Sequence, residues 1–127
     1  MTAVLLDTHA WVWSLRDDVR LSQAARTAIE NARRVLVSPI SFFEIGQKAR
    51  LGKWPEMEPF AAQLPSILDR QGGAATPLDP AICLEASLMD WSHRDPFDRL
   101  IAATALHLRV PLISADAVFD EIAQRVW

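Results

Sequence analysis

Two kinds of apolar pattern alternate along this chain. Short continuous apolar runs stand at residues 3–6, 35–37 and 110–114, each ending at or beside a polar residue. Continuity, rather than alternation, marks a strand covered on both faces, as in parallel sheets. Residues 74–78 and 125–127 are weaker strand candidates. Helical patterns with start and stop signals lie between these runs. Asp7 can cap a first helix carrying Trp11 and Trp13, and Ser22 a second that reaches about Arg34. Ser38-Pro39 opens a third, with proline where a missing N–H costs nothing, and Gly52 can close it. Residues 58–71 read as a helix or helix pair, bent or split by Pro65 and stopped at Gly72-Gly73. Asp79-Pro80 and Asp95-Pro96 repeat the cap-then-proline signature before two further helices. Strands alternating with helices predict an α/β fold of three layers, a mainly parallel central sheet flanked by helices. No repeat or linker divides the 127 residues, so one domain over 1–127 is expected.

Ligands of such folds gather beyond the carboxyl ends of the strands. The polar residues to weigh are therefore those just past a strand or at an adjoining helix start. Asp7 follows the first run directly, and Asp116 follows the run ending at Ser114. Either could be a plain helix cap. Glu44 is more informative. On a helix from Pro39, 100° per residue sets it within about 40° of both Ile40 and Leu51, amid phenylalanines that cover much of the circumference. The ordinary alternative is an exposed Glu44–Lys48 pair at i, i+4. Asp95 reads as the cap of the next helix. Asp98 then heads the stripe of Ile101, Ala102 and Ala105, which makes it the inward-pointing acid unless it serves a capping box.

Four carboxylates converging at one sheet edge would raise one another's pKa unless cations neutralise them. An all-oxygen donor set selects hard ions, Mg²⁺ or Mn²⁺. The matching chemistry is phosphodiester hydrolysis by metal-activated water. The formal charge of -3 excludes a basic nucleic-acid-coating protein, but it conceals a split. Residues 1–54 hold eight basic and five acidic side chains, and residues 55–127 five and eleven. Arg16, Arg20, Arg33, Arg34, Lys48, Arg50 and Lys53 are candidates for phosphate contacts. Cys83 stands alone, so neither a disulfide nor a cysteine zinc site is expected. No signal-peptide pattern and no apolar stretch of membrane-spanning length occurs, and a cytoplasmic location without membrane contact is the expectation.

Four stretches carry a family resemblance: Leu5-Leu6-Asp7-Thr8-His9, residues 38–45, residues 95–103 and residues 111–116. In this order the chain resembles the PIN-domain proteins, and among them the VapC-type ribonuclease toxins of bacterial toxin–antitoxin pairs. The resemblance implies that Asp7, Glu44, Asp98 and Asp116 are the catalytic, metal-holding acids. It places Ser114 at a small-hydroxyl position near the metal and leaves Thr8 and Asp95 as secondary positions. Asp95 and Arg99, within His-Arg-Asp-Pro-Phe-Asp-Arg, receive no direct ligating role. It further implies an RNA substrate, a homodimer, and a VapB-type antitoxin through which DNA is contacted indirectly. The five tryptophans are expected mostly to pack internally.

Other classes fit less well. A receiver domain needs paired acids after its first strand and a lysine after its last, whereas Thr8-His9 follows Asp7 and no lysine follows Lys53. A catalytically silent binding module of the same fold conflicts with four filled acid positions. A housekeeping RNA-processing nuclease would carry all the same residues and is the alternative to a toxin.

Overall fold

The computed structural model describes residues 2–127. Five strands form one sheet in the order β3-β2-β1-β4-β5, with every neighbouring pair parallel. They are β1 (Ala3–Leu6), β2 (Arg34–Val37), β3 (Ala74–Ala75), β4 (Leu112–Ile113) and β5 (Arg125–Val126). The most apolar run occupies the centre. Leu6 stands level with Val37 on one side and Ile113 on the other.

Strand alternation divides the interior into two cores. Val4 and Leu6 of β1, with Val37 and Ile113, face α1 (Thr8–Leu15), α2 (Gln23–Asn31) and α4 (Leu64–Arg70). Trp11 is fully buried there. Leu5 and Leu112 face the other way, toward Ile101, Ala102 and Ala105 of α6 (Pro96–Leu108), and toward Trp91 and Phe119. Burial of both sheet faces explains the unbroken apolar runs. Ile82 and Ala86 of α5 (Pro80–Leu88) pack against Ala103 of α6, outside the second core. Helix α3 (Pro39–Arg50) gives Ile45 to the first core and sets Ile40 against the second. It therefore crosses from face to face just past the carboxyl end of β2.

The expected elements are present with shifted edges. The second helix stops at Asn31 rather than Arg34, because Ala32 turns extended and Arg34 pairs with Ala3 as the first residue of β2. Pro65 does not bend a long helix. It sits in the first turn of α4, preceded by 3-10 turns at Pro55–Met57 and Ala61–Gln63. β3, β4 and β5 are two residues each, shorter than their apolar runs.

Helix α4 ends where Gly72 takes φ 81°, a conformation that favours glycine. Gly73 is constrained by space instead. A Cβ there would stand 2.5 Å from Leu68 Cδ1 and 3.0 Å from the Val35 carbonyl oxygen. Leu68 is buried and cannot swing away freely. Gly73→Ala is expected to destabilise the protein by about 1–3 kcal/mol, read as a lower urea midpoint with unchanged slope.

Candidate active site

Each candidate acid is positioned by a local feature at the carboxyl edge of the sheet. The Asp7 N–H donates to the Ile113 carbonyl at 3.1 Å, extending the β1–β4 pairing by one residue. Its Oδ1 accepts from the Ala10 N–H at 2.9 Å, and the residue is 9% exposed. Asp7 is thus both the cap of α1 and a buried acid; the two readings coexist. Ser114, fully buried past β4, accepts the Asp116 N–H at 3.0 Å on its hydroxyl. Asp116 is exposed and caps the 3-10 turn Ala117–Glu121 by accepting from the Val118 N–H at 3.0 Å. The Glu44–Lys48 pair forms at 2.7 Å, but Glu44 is buried, not the exposed partner of an ordinary surface pair. Asp95 caps α6, accepting from the N–H groups of Phe97 and Asp98 at 2.9 and 3.4 Å. Asp98, half-buried in the first turn, directs Oδ2 at His93 Nε2, 2.7 Å away.

Asp7, Glu44, Asp98 and Asp116 all line one open cleft of about 490 Å³. Their electrostatics are linked. Burial pushes the Asp7 carboxyl up to about 6, the Ser114 hydroxyl and Ala10 N–H pull against this, and Asp98 and Glu44 add to the rise. Asp98 is raised by burial, opposed by its hydrogen bond to His93 and raised further by Asp95 and Asp116. A buried carboxylate within electrostatic reach of two others is a site with a deficit of positive charge. A hard divalent cation corrects that deficit, so the donor set fits Mg²⁺ or Mn²⁺.

Among the described residues, the trio whose ligand atoms all lie within 4.8 Å of one another is His93, Asp95 and Asp98. Its proximity has local causes, since Asp95 is spent on the helix cap and His93 is hydrogen-bonded to Asp98. Asp95 is also exposed, whereas Asp7 is buried and feels Glu44 and Asp98. The four-acid cleft differs from this trio in holding a buried acid, Asp7, among other carboxylates. Thr8 lines that cleft, but its hydroxyl donates to Ser41 at 2.8 Å and ties α1 to α3. Sequence reasoning missed His93, although it stands only five residues before Asp98; a loop fold is what brings its ring onto the carboxylate.

Four of the seven candidate phosphate-binding cations, Arg16, Arg20, Lys48 and Lys53, line a second pocket. Arg33 and Arg34 do not join them. They lie at the amino end of β2, where the Arg33 N–H donates to the Thr2 carbonyl, at the opposite edge from the acids. Arg50 is exposed at the last turn of α3.

The sequence profile of the PIN domain matches residues 4–125. The chain belongs to the PIN-domain family. Ribonuclease VapC22 of Mycobacterium tuberculosis is 33% identical over 117 residues, spanning 91% of this chain and 88% of that protein. That likeness puts this PIN domain on the VapC branch. A toxin–antitoxin complex from Klebsiella pneumoniae superposes with TM-score 0.64 at 16% identity, covering 98% of this chain and 96% of that one. VapBC2 of Rickettsia felis, bound to a DNA fragment from its promoter, gives TM-score 0.64 at 13% identity, covering 99% and 100%. At such identities the likeness is one of fold. The parallel sheet between helical layers is the PIN architecture.

Proposed function

We propose that this PIN domain is a divalent-metal-dependent endoribonuclease and the toxin of a type II toxin–antitoxin pair. The observation that carries the reading is Asp7, buried yet set in one cleft with Glu44, Asp98 and Asp116. These four would hold Mg²⁺ or Mn²⁺, directly or through water. When bound, such an ion supplies a lowered pKa for water and charge stabilisation for the phosphate and leaving oxygens.

The protein's own residues supply placement. The cap to Ala10 fixes Asp7, and the Ser114 hydroxyl fixes the main chain that carries Asp116. His93 sets the rotation of the Asp98 carboxylate. Lys48, paired with Glu44 and lining the same cleft, keeps a cation at the wall for a phosphate oxygen. The substrate is single-stranded or looped RNA. Likeness to VapC22 and to the toxin–antitoxin complexes supports a cognate VapB-type antitoxin. In this reading the toxin is a single-domain homodimer in the cytoplasm and meets DNA only through its antitoxin. No helix among the described residues is long and apolar enough to cross a membrane.

Incubation of the purified protein with total RNA and Mg²⁺ or Mn²⁺ should give discrete fragments with 5′-phosphate ends, and EDTA should abolish them. No metal-dependent product from any RNA class would overturn the nuclease reading and leave a binding module.

A further inference from the structure

The second pocket shares a wall with the acidic cleft. His9, Trp13, Arg20 and Lys48 line both, so one continuous surface runs from the carboxylates into a cavity of about 320 Å³. The sign of the charge changes along it. The acidic cleft is lined by five carboxylates against two cations, and the second pocket by four cations against Glu56 alone. Its aromatic side is a cluster of three rings. The exposed His9 stacks on Trp54 with centroids 4.9 Å apart and planes at 27°, and meets Trp13 at 5.8 Å. Two of the cations are fixed against these rings. The Arg20 guanidinium lies 4.9 Å from the Trp13 centroid, held by a bidentate contact to Asp18 at 2.8 and 3.0 Å. Lys48 Nζ lies 5.6 Å from the Trp54 centroid while paired to Glu44. Arg16 and Lys53 are exposed.

Preset cations beside flat π surfaces suit a ligand that is anionic at one end and a flat ring at the other. A nucleotide has that form, and single-stranded nucleic acid is gripped by this combination of backbone cations and aromatic stacking. A carboxylate peptide would use the cations and bring no flat group to the ring cluster. Base-paired RNA would hide the base faces. Resting on the nuclease reading above, we infer that the pocket of His9, Trp13, Trp54, Arg16, Arg20 and Lys53 binds the nucleotide adjoining the scissile phosphate. Its base lies against the aromatic wall and its phosphate against the cations. This subsite makes the protein select unpaired RNA and sets which phosphate reaches the acids.

The test is binding without cleavage: anisotropy of a short fluorescein-labelled single-stranded RNA, in EDTA, across a salt series. His9→Ala and Trp54→Leu are each expected to raise Kd about tenfold, as loss of one stacked base does. His9→Phe should restore wild-type affinity. Trp54 is partly buried, so the exposed pair Arg16→Ala and Lys53→Ala provides a second arm with no risk to the fold. Each should lower the slope of log K against log salt by about 0.7. Arg33→Ala, at the far edge, should leave the affinity unaltered. The same strand as an abasic backbone, or in a duplex, should bind several-fold more weakly, and poly-glutamate should displace the RNA poorly. Folded His9→Ala and Trp54→Leu proteins that bind like wild type would overturn the assignment. So would an abasic strand that binds equally well, or poly-glutamate that competes equally, which would mark a peptide or general polyanion site. Because the binding assay needs no metal, a wild type that binds through the pocket yet gives no product when Mg²⁺ or Mn²⁺ is supplied counts against the nuclease reading alone. Normal cleavage with unaltered variant binding counts against the pocket alone.

Discussion

Asp7→Asn should reduce metal-dependent RNA cleavage by about a thousandfold or more, while making the metal-free protein more stable at neutral pH. Both effects follow from one burial. The Asp7 carboxyl is raised from 3.8 to about 6, by burial first and by Asp98 and Glu44 after the opposing hydrogen bonds. Between those two pH values the folded protein holds a proton that the unfolded chain has released. Stability of the metal-free fold therefore falls as pH rises through that window, and the penalty is complete above about 6. Each pH step of one across the window removes about 1.4 kcal/mol, so the penalty reaches about 3 kcal/mol at most. Asparagine cannot ionise, and its side-chain oxygen can keep the Ala10 cap, so the variant escapes the penalty and retains α1. Melts in EDTA, run from below the window to above it, should show wild type losing Tm as pH rises and Asp7→Asn losing less. Added Mn²⁺ should then raise the Tm of wild type and leave the variant nearly unmoved, because a ligand stabilises only the state that binds it. A folded Asp7→Asn protein cutting RNA at the wild-type rate would refute the assignment of Asp7.

Three of the four candidate acids stand on a local signal in the sequence, and Glu44 on the apolar periodicity of its helix. Asp7 and Asp116 follow strand-forming runs, and Asp98 lies three residues after a capping aspartate followed by proline. Caps and strand ends are decided within a few residues of chain, so sequence periodicity reaches them. The same locality explains the misplaced edges. Whether Arg34 ends a helix or begins a strand depends on its partner Ala3, far away in the chain. Pro65 suits both a kink and a first helical turn, and only the packing of Leu64 and Leu68 into the first core decides between them. The aromatic–basic pocket was not legible. It joins α1, the turn that holds Arg20, the end of α3 and the Lys53–Trp54 segment, four pieces with no shared motif. Charge counting could name the cations, but nothing local separates Arg16 and Arg20, in the second pocket, from Arg33 and Arg34 at the opposite edge.

Arg99→Ala should cost about 3–5 kcal/mol of stability, lowering Tm by roughly 10–20 °C, although Arg99 lines no part of the acidic cleft. Its guanidinium lies in the connection between α5 and α6. Nε donates to the Ala86 carbonyl at 2.8 Å, one terminal nitrogen to Trp91 and His93 at 2.7 and 2.8 Å, and the other to Met89 and Ser87 at 2.7 and 3.4 Å. All five N–H groups of the fork thus meet main-chain carbonyls, and truncation leaves those carbonyls to find water or rearrange. Arg99→Lys should rescue only part of the loss, since an ammonium carries three donors and no planar fork. The loop so held also carries Trp91, packed in the second core against Phe119, and His93, bonded to Asp98. Loosening it should therefore reach the cation site without touching an acid. At a temperature where Arg99→Lys is fully folded by circular dichroism, Mn²⁺ should bind several-fold more weakly than to wild type. Against that, His93→Ala in an otherwise wild-type chain should weaken Mn²⁺ to a similar degree with a much smaller fall in Tm. A drop in Tm with unchanged Mn²⁺ affinity in Arg99→Lys would confine the clamp to stability and break the proposed link through His93.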